Sequence, residues 1–404
     1  MAEIYLDSCS TTPLDPRVGQ AMLEAAARHP GNPASPHRFG QAARRQLELA
    51  RETIAQALGA DVAEVGGDRL VFTSGGTESN NLALRGLLGP SASGPTRIVV
   101  SSVEHPSVMA TAQEMARLGY DVQRAPVDGD GVIRLDQLES LLTPATRLVS
   151  IQWGNHETGV IQPIHEIAQL CRDRQILFHC DAVQAVGKVR IHFRESGVDA
   201  LTFTAHKIHG PVGIGALLLR PGVVPAPLHW GGSQQLGVRP GTESLMLAVG
   251  FATALQLAVE RLRDTGETGV SSRRDQLEEL LLQGIPDLWI SGRQTKRLPH
   301  VTNAAFPELD RQQFLLALDN AGVACSSGPA CQSGASELSP VLQAMGLPHD
   351  VLRSSLRLSV STATTPEDVS EAARRIVLLW NDLRQKKQAG NYSSSPRLIR
   401  RKPL

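Results

Sequence analysis

Across its first 220 residues the chain alternates short, β-branched apolar runs with longer stretches of helical periodicity. RLVFT, RIVVSS, RLVSIQW, ILFHCDA, DALTFTA and GIGALLL are separated by segments such as AARRQLELARETIAQAL and IHEIAQLCRDR. Strands that return through helices run side by side, so the pattern predicts a mainly parallel sheet covered by helices. After the long segment around Leu245 to Arg263, polar sequence through Gly269 leads into a further helix, SRRDQLEELLLQ. Shorter strand candidates and a final helix near Pro366 to Arg384 follow, so a smaller α+β domain is expected from about residue 262. The 404 residues allow two such domains and a core that needs no disulfide staples.

Apolar residues at 41% and charged residues at 20% exclude a disordered or fibrous chain. The longest nearly apolar run, Leu245 to Val259, is shorter than the ~18 residues of a membrane span, so no bilayer crossing is expected. MAEIYLDSCSTTPLDP has no basic region followed by an apolar one, which predicts a cytoplasmic protein. Five cysteines, Cys9, Cys171, Cys180, Cys325 and Cys331, are an odd number at scattered spacing. They read as reduced thiols, without the paired short spacings of a zinc site, and no metal is expected. Net charge is zero, yet Leu383 to Leu404 holds seven of the 40 basic residues and no acidic one. This end reads as a solvated, disordered tail, and no nucleic-acid recognition motif accompanies it.

Three segments carry chemistry. TSGGTESNN, Thr73 to Asn81, joins the strand RLVFT to a helical stretch beginning near Glu78. Its glycines let backbone amides approach an anion at a helix start, and Thr77 adds a hydroxyl, which makes a phosphate seat. The Lys of a P-loop is missing, so a nucleoside triphosphate is not indicated. In FHCDAVQ, Asp181 ends a buried strand of the kind that delivers residues to the crevice at the carboxyl edge of a sheet. In TFTAHKIHGPVGIG, Lys207 follows another strand end, between His206 and His209. A lysine in such a turn can form an imine with an aldehyde. Singly, the three also read as a helix cap, an acidic strand end and a surface lysine. Together, an anion seat, an acid for a ring nitrogen and a lysine for an aldehyde are what pyridoxal 5'-phosphate requires.

The chain resembles the cysteine desulfurases of the NifS/IscS type, within the class V aminotransferase group of fold type I enzymes. YLDSCSTTPLDPRV, GNPASPHRFG, FTSGGTESNNLAL, SSVEHPSV, NHETGVIQPI, HCDAVQAVGK, TAHKIHGPVGIGAL, VRPGTES, CSSGPACQSG and SSLRLSVSTATT carry the resemblance, in the family's order from about residue 4 to 366. It implies a large domain, residues 13–262, with a mainly parallel seven-stranded sheet covered by helices. A smaller α+β domain would comprise residues 1–12 and 263–385, with residues 386–404 as the basic tail.

The resemblance also implies roles, position by position. Lys207 would hold the cofactor aldehyde and Asp181 would keep the pyridine nitrogen protonated. His105 would stack on the ring and move protons. Gly76, Thr77, Thr204 and His206 would contact the phosphate, and Gln184 the ring hydroxyl. Thr242 would reach the phosphate of the neighbouring subunit of a homodimer. Arg357 would grip the substrate carboxylate with a two-pronged pair. Asn32 would close a loop beside the substrate, although a turn-forming Asn reads equally well there. Cys331 would take sulfur from L-cysteine as a persulfide and leave L-alanine. Its surroundings, SSGPACQSGASELSP, have no strong helix or strand period and suggest a loop.

The long form of this loop matches the group that includes NifS and IscS rather than SufS, which implies direct delivery to a scaffold or carrier protein. Iron-sulfur assembly, transfer RNA thiolation and DNA phosphorothioation all remain open as destinations. Three positions depart from the family. His156 follows Asn155 where two asparagines are usual, and the expectation is that its imidazole keeps the hydrogen bond to the cofactor hydroxyl. Cys325 reads as a buried structural cysteine, with a resolving or regulatory thiol as the alternative. Pro329 would stiffen the Cys331 loop. Competing readings keep the cofactor and change the reaction, to a selenocysteine lyase or a small amino acid transaminase, or keep the fold as a sulfur-trafficking protein without turnover.

Overall fold

The structure is a computed structural model and describes residues 2–88, 96–266, 268–328 and 338–389. Strand β1 (Ile4–Tyr5) pairs in parallel with β11 (Val323–Ala324). The central sheet contains β2 (Arg69–Thr73), β3 (Arg97–Ser101), β4 (Asp121–Ala125), β5 (Thr146–Ser150), β6 (Leu177–Asp181), β7 (Ala200–Thr204) and β8 (Gly215–Leu219). These seven strands lie in the order β2-β8-β7-β6-β5-β3-β4. The run from β7 to β4 is parallel, and β8 is antiparallel to both its neighbours. The expected mainly parallel, helix-covered α/β architecture is therefore present.

Strands β5 to β8 are buried almost throughout because helices cover both faces of the sheet. One face rests on Leu47, Ile54, Phe178, Phe203, Phe251 and their neighbours, the other on Val71, Leu84, Val100 and Met115. β4 has no counterpart among the runs picked out by composition. DVQRA is polar, and as an edge strand it buries only Ala125, so nothing selects for a continuous apolar run there. The other edge strand, β2, is closed by a side chain: Gln235 accepts from the Phe72 N–H at 2.6 Å and donates to the Phe72 carbonyl at 2.8 Å.

The apolar run at Leu245 forms a helix longer than the run itself, Leu245–Thr265. By length and hydropathy it would suffice to cross a membrane, but half of its most apolar 18-residue stretch is buried inside the protein. It packs on the helices Pro16–Arg28 and Arg38–Ala57. A separate apolar core, which includes Ile4, Leu6, Leu281, Phe314, Leu356 and Trp380, joins the N-terminal strand to the C-terminal segments. Here β9 (Trp289–Ile290), β10 (Val301–Ala305) and β12 (Ser355–Ser359) form an antiparallel sheet with β10 in the centre.

The last helix, Pro366–Gln388, runs beyond the Arg384 end expected from its periodicity and takes residues 386–388 from the tail. The extra turn is held by a Lys386–Asp382 pair and by lysines that suit the negative end of the helix. The rest of the tail, from residue 390, lies outside the described residues, as do Pro329 and Cys331.

Candidate active site

Four parallel strands deliver the site. The chain leaves β3 into Glu104 and His105, β5 into Asn155 and His156, β6 at Asp181 itself, and β7 through a single 3₁₀ turn, Ala205–Lys207. All lie at carboxyl ends of strands, next to the β3/β5 boundary where the strand order reverses, the usual place for a ligand crevice in an open α/β sheet.

Asp181 is the anchor of a polar line. Its Oδ2 accepts from Asn80 Nδ2 at 2.7 Å and its Oδ1 accepts from the Val183 N–H at 3.0 Å. The same Asn80 amide donates to Ser107 Oγ at 2.9 Å, and Ser107 Oγ lies 2.8 Å from His105 Nδ1. His105 caps the helix Pro106–Arg117, its Nδ1 accepting from the Ser107 N–H at 3.1 Å. With Nδ1 used as an acceptor, the neutral ring carries its proton on Nε2. Burial keeps His105 below the ordinary histidine range, against the opposing pull of the Asp181 carboxylate.

His156 meets His105 edge-on, with ring centroids 5.1 Å apart. Burial, and then His105, Arg357 and Lys207, hold it well below the usual histidine range, so it is neutral. Its buried Nδ1 has no hydrogen-bond partner among the described residues.

Lys207 donates to the carbonyl oxygens of Cys9 and Ser10, at 2.5 and 2.7 Å. Burial lowers it to about 8, with Arg357 adding to the fall and Asp7 and Asp181 opposing it. Gln184 reaches the same Cys9 carbonyl at 3.0 Å through Nε2. Its Oε1 accepts from Lys188 at 3.1 Å. Thr204 donates to the Ile214 carbonyl at 2.8 Å, which fixes the turn to β8, and His206 Nδ1 is 3.3 Å from Thr11 Oγ1. Burial takes His206 down to about 4.

The helix after TSGG starts at Gly76, two residues before the expected Glu78. Thr77 is exposed, and a Cβ on Gly75 would enter open space, so the backbone here is bare toward solvent. Thr242 is exposed in the loop before Leu245–Thr265 and shares a cavity of about 190 Å³ with Ser74, Arg239 and Ser244. Asn32 is also exposed. Its Oδ1 accepts from the Ala34 N–H at 2.9 Å, which closes a turn. No hydrogen bond among the described residues links Asn32 or Thr242 to Lys207, Asp181, His105 or Arg357.

Arg357 comes from β12 and is almost wholly buried. Nη1 donates to the His156 carbonyl at 3.0 Å, and Nη2 donates to Asp7 Oδ1 at 2.9 Å and Ser10 Oγ at 2.8 Å. Its Nε has no hydrogen-bond partner among the described residues. The Arg357 backbone bridges Ser326 on both sides, N–H to carbonyl at 2.7 Å and carbonyl to N–H at 3.1 Å. Both ends of the segment that contains Cys331 meet Glu157. Ser339 donates to Glu157 Oε2 at 2.6 Å, and a Cβ on Gly328, whose φ is +104°, would lie 2.7 Å from the same oxygen. Only glycine suits that backbone and that approach. Cys325 packs against the second apolar core, and burial pushes its thiol up to about 12.

Sequence reading did not single out Asn80, Glu157, Asp7 or Ser10. All four stand inside stretches quoted above, Asp7 and Ser10 in YLDSCSTTPLDPRV, Asn80 in TSGGTESNN and Glu157 in NHETGVIQPI. What selects them is the fold: the helix phase that turns Asn80 to Asp181, and the return of the chain that sets Ser339 on Glu157.

Residues 4–371 match the family Aminotransferase class-V. A cysteine desulfurase of Trichormus azollae is 42% identical over 91% of this chain and 90% of its own length. The cysteine desulfurase NifS of Azotobacter vinelandii is 38% identical over 95% and 94%. A solved NifS-like protein superposes with a TM-score of 0.86 at 31% identity, covering 94% of this chain and all of the other.

Proposed function

The chain belongs to the class-V aminotransferase family and to its cysteine desulfurases, and on that premise we propose how its residues convert L-cysteine to L-alanine with pyridoxal phosphate as cofactor. The observation that carries the reading is the convergence of Lys207, Asp181, His105 and Arg357 on one crevice, within each other's electrostatic reach. The residues present fit the cofactor. His156 Nδ1 and Asn80 Oδ1 are buried polar atoms without hydrogen-bond partners among the described residues, and the backbone at Gly75 borders open space. Bound, the cofactor supplies an electrophilic aldehyde and a ring that accepts electron density from the substrate.

In this proposal Lys207 holds the aldehyde, and Asp181, fixed by Asn80 and the Val183 N–H, faces the ring nitrogen. His105 covers the ring, His156 and Gln184 face the ring hydroxyl, and Gly76, Thr77, Thr204 and His206 hold the phosphate. Thr242 serves a second copy of the chain in a homodimer. Because Lys207 titrates near 8, its amine can give up and take back a proton close to neutral pH. Arg357 presents a guanidinium already oriented by Asp7, Ser10 and the His156 carbonyl, and its remaining donor capacity serves the substrate carboxylate. Asn32 borders the substrate from its turn.

Cys331, outside the described residues, accepts the substrate sulfur. Its sulfur, giving up the S–H proton, forms an S–S bond to the substrate sulfur as the substrate C–S bond breaks; the bonding pair stays on the substrate carbon, which takes up that proton, so L-cysteine and thiol become L-alanine and persulfide with no external oxidant. The persulfide then passes to an acceptor protein. The test is alanine and persulfide formation from L-cysteine by the wild type and Cys331→Ala, with the visible spectrum recorded alongside. The wild type should make both products and the variant neither, with the cofactor band kept in both. Alanine formation that survives Cys331→Ala would overturn the proposed sulfur route in favour of another class V reaction.

A further inference from the structure

A second cavity, of about 260 Å³, borders Lys207 but is lined by none of Asp181, His105, His156 or Arg357. It lies where the end of Leu245–Thr265 and the start of the helix Thr268–Gly284 meet the turn after β7 and the chain leaving β12. Lys188, Arg261 and Arg273 reach its wall beside Lys207, whose amine the holoenzyme commits to the cofactor, and among the described residues no aspartate or glutamate does.

The hydrogen bonds of these cations go mainly to neutral groups. Lys207 has the Cys9 and Ser10 carbonyls, and Arg273 donates to the Ser361 carbonyl at 3.2 Å. Lys188 has Gln184 Oε1 at 3.1 Å and His300 Nε2 at 3.0 Å. Arg261 comes within 3.9 Å of Asp15, a carboxylate already gripped by Arg17 at 2.7 Å. Burial takes Lys188 down to about 7 and lowers Arg261 as well. Lys188 holds its charge out of water with only neutral hydrogen-bond partners, which is costly, and the cost falls when an anion enters.

Ser8 and His300, 1% and 2% exposed, also line the cavity. The remaining wall is apolar, with Ile208, Leu262, Val270 and Val360 among its residues. Such a wall favours an anion with a hydrocarbon body over a hydrated inorganic ion. The volume is just below the ~300 Å³ at which drug-sized pockets begin, which sets the scale at a few carbons.

We propose that this cavity is a binding site for a small aliphatic carboxylate, its head among the cationic side chains and its body against Leu262, Val270 and Val360. An occupant is in contact with Lys207, and it is linked to the crevice a second time through Lys188, Gln184 and the Cys9 carbonyl. The site does not depend on the desulfurase reading, because its test measures binding alone.

The test titrates the holoenzyme with sodium butyrate by calorimetry at fixed ionic strength, with sodium chloride as the control anion. Arg357→Gln is titrated in parallel, because a carboxylate can also enter the crevice at Arg357. The expected result is one saturable butyrate site per chain that persists in Arg357→Gln, weakens at least about tenfold in Arg273→Gln and vanishes in Gly269→Leu. Gly269 lies on the cavity wall, where a Cβ would meet only Thr265 Oγ1 at 3.7 Å, so a leucine there fills the space with normal folding and turnover of L-cysteine. Absence of a saturable site in Arg357→Gln, binding untouched by both cavity variants, or equal displacement by chloride would each overturn the proposal.

Discussion

The two walls of the crevice are built on different principles. One stands on the ends of β3, β5, β6 and β7, where main-chain pairing across the sheet fixes Asp181, His105 and the turn to Lys207. The other is gathered from residues 7–10, 326–328, 339 and Arg357, far apart in the chain. It is joined by side-chain contacts: Arg357 to Asp7 and Ser10, and Ser339 to Glu157. A sheet edge holds charge through many cooperative bonds, whereas the second wall is held by a few bonds that can be cut singly. Substitutions should therefore separate the walls, with chemistry lost from the first and substrate grip or sulfur transfer lost from the second.

The largest effect tests that division directly. Lys207→Ala should lower alanine formation at least about 10³-fold and remove the visible cofactor band. Cys331→Ala should match the loss in persulfide yet keep the band. If both variants lose the band, the walls are not separable. Next comes Arg357→Lys, which keeps the charge but not the planar fork. A rise of about 10- to 100-fold in KM for L-cysteine, with a smaller change in kcat, is expected from steady-state kinetics. A fall confined to kcat would move Arg357 from substrate grip to the chemical step.

A third, smaller effect asks what positive charge beneath the first wall costs. Lys188 titrates near 10.5 when unfolded and about 7 when folded. Between those values the unfolded chain binds more protons, so stability rises with pH through that window and the penalty is complete below pH 7. Unfolding free energies from denaturant titrations at pH 7 to 9 should climb in the wild type relative to Lys188→Met, by up to ~1.4 kcal/mol per pH unit. Parallel lines for the two proteins would mean that the lysine is neutralised by another route.

The same contrast explains what was legible in the sequence. Strands β2, β3 and β5 to β8 stand out because double-sided burial demands unbroken apolar runs, and the Asp181 and Lys207 positions follow from those strand ends. The polar edge strand β4 carries no such demand and was not legible. The second wall was less legible still. Asp7 and Ser10 reach Arg357 only because β1 is placed beside the C-terminal segments. The roles expected of Arg357 and Cys331 came from resemblance to a family, since neither spacing nor composition points to them. Asn80 lies between these cases: its motif was visible, but choosing it over Asn81 needs the phase of a six-residue helix.

The smallest effect concerns the joint of the second wall. Burial raises the Glu157 carboxyl above its usual range, and Oε2 takes the Ser339 hydroxyl while Gly328 presses against it. Glu157→Gln keeps the volume and a carbonyl oxygen for Ser339, so unfolding free energy should change by no more than about 1 kcal/mol. Persulfide formation should fall by less than about tenfold. Glu157→Ala removes the acceptor that ties Ser339 to Gly328 and should cost about 1–3 kcal/mol, with a larger loss of persulfide than of cofactor binding. If the alanine variant instead loses cofactor and persulfide together, Glu157 supports the sheet-edge wall through its neighbour His156, and the boundary between the two walls must be drawn on the other side of that pair.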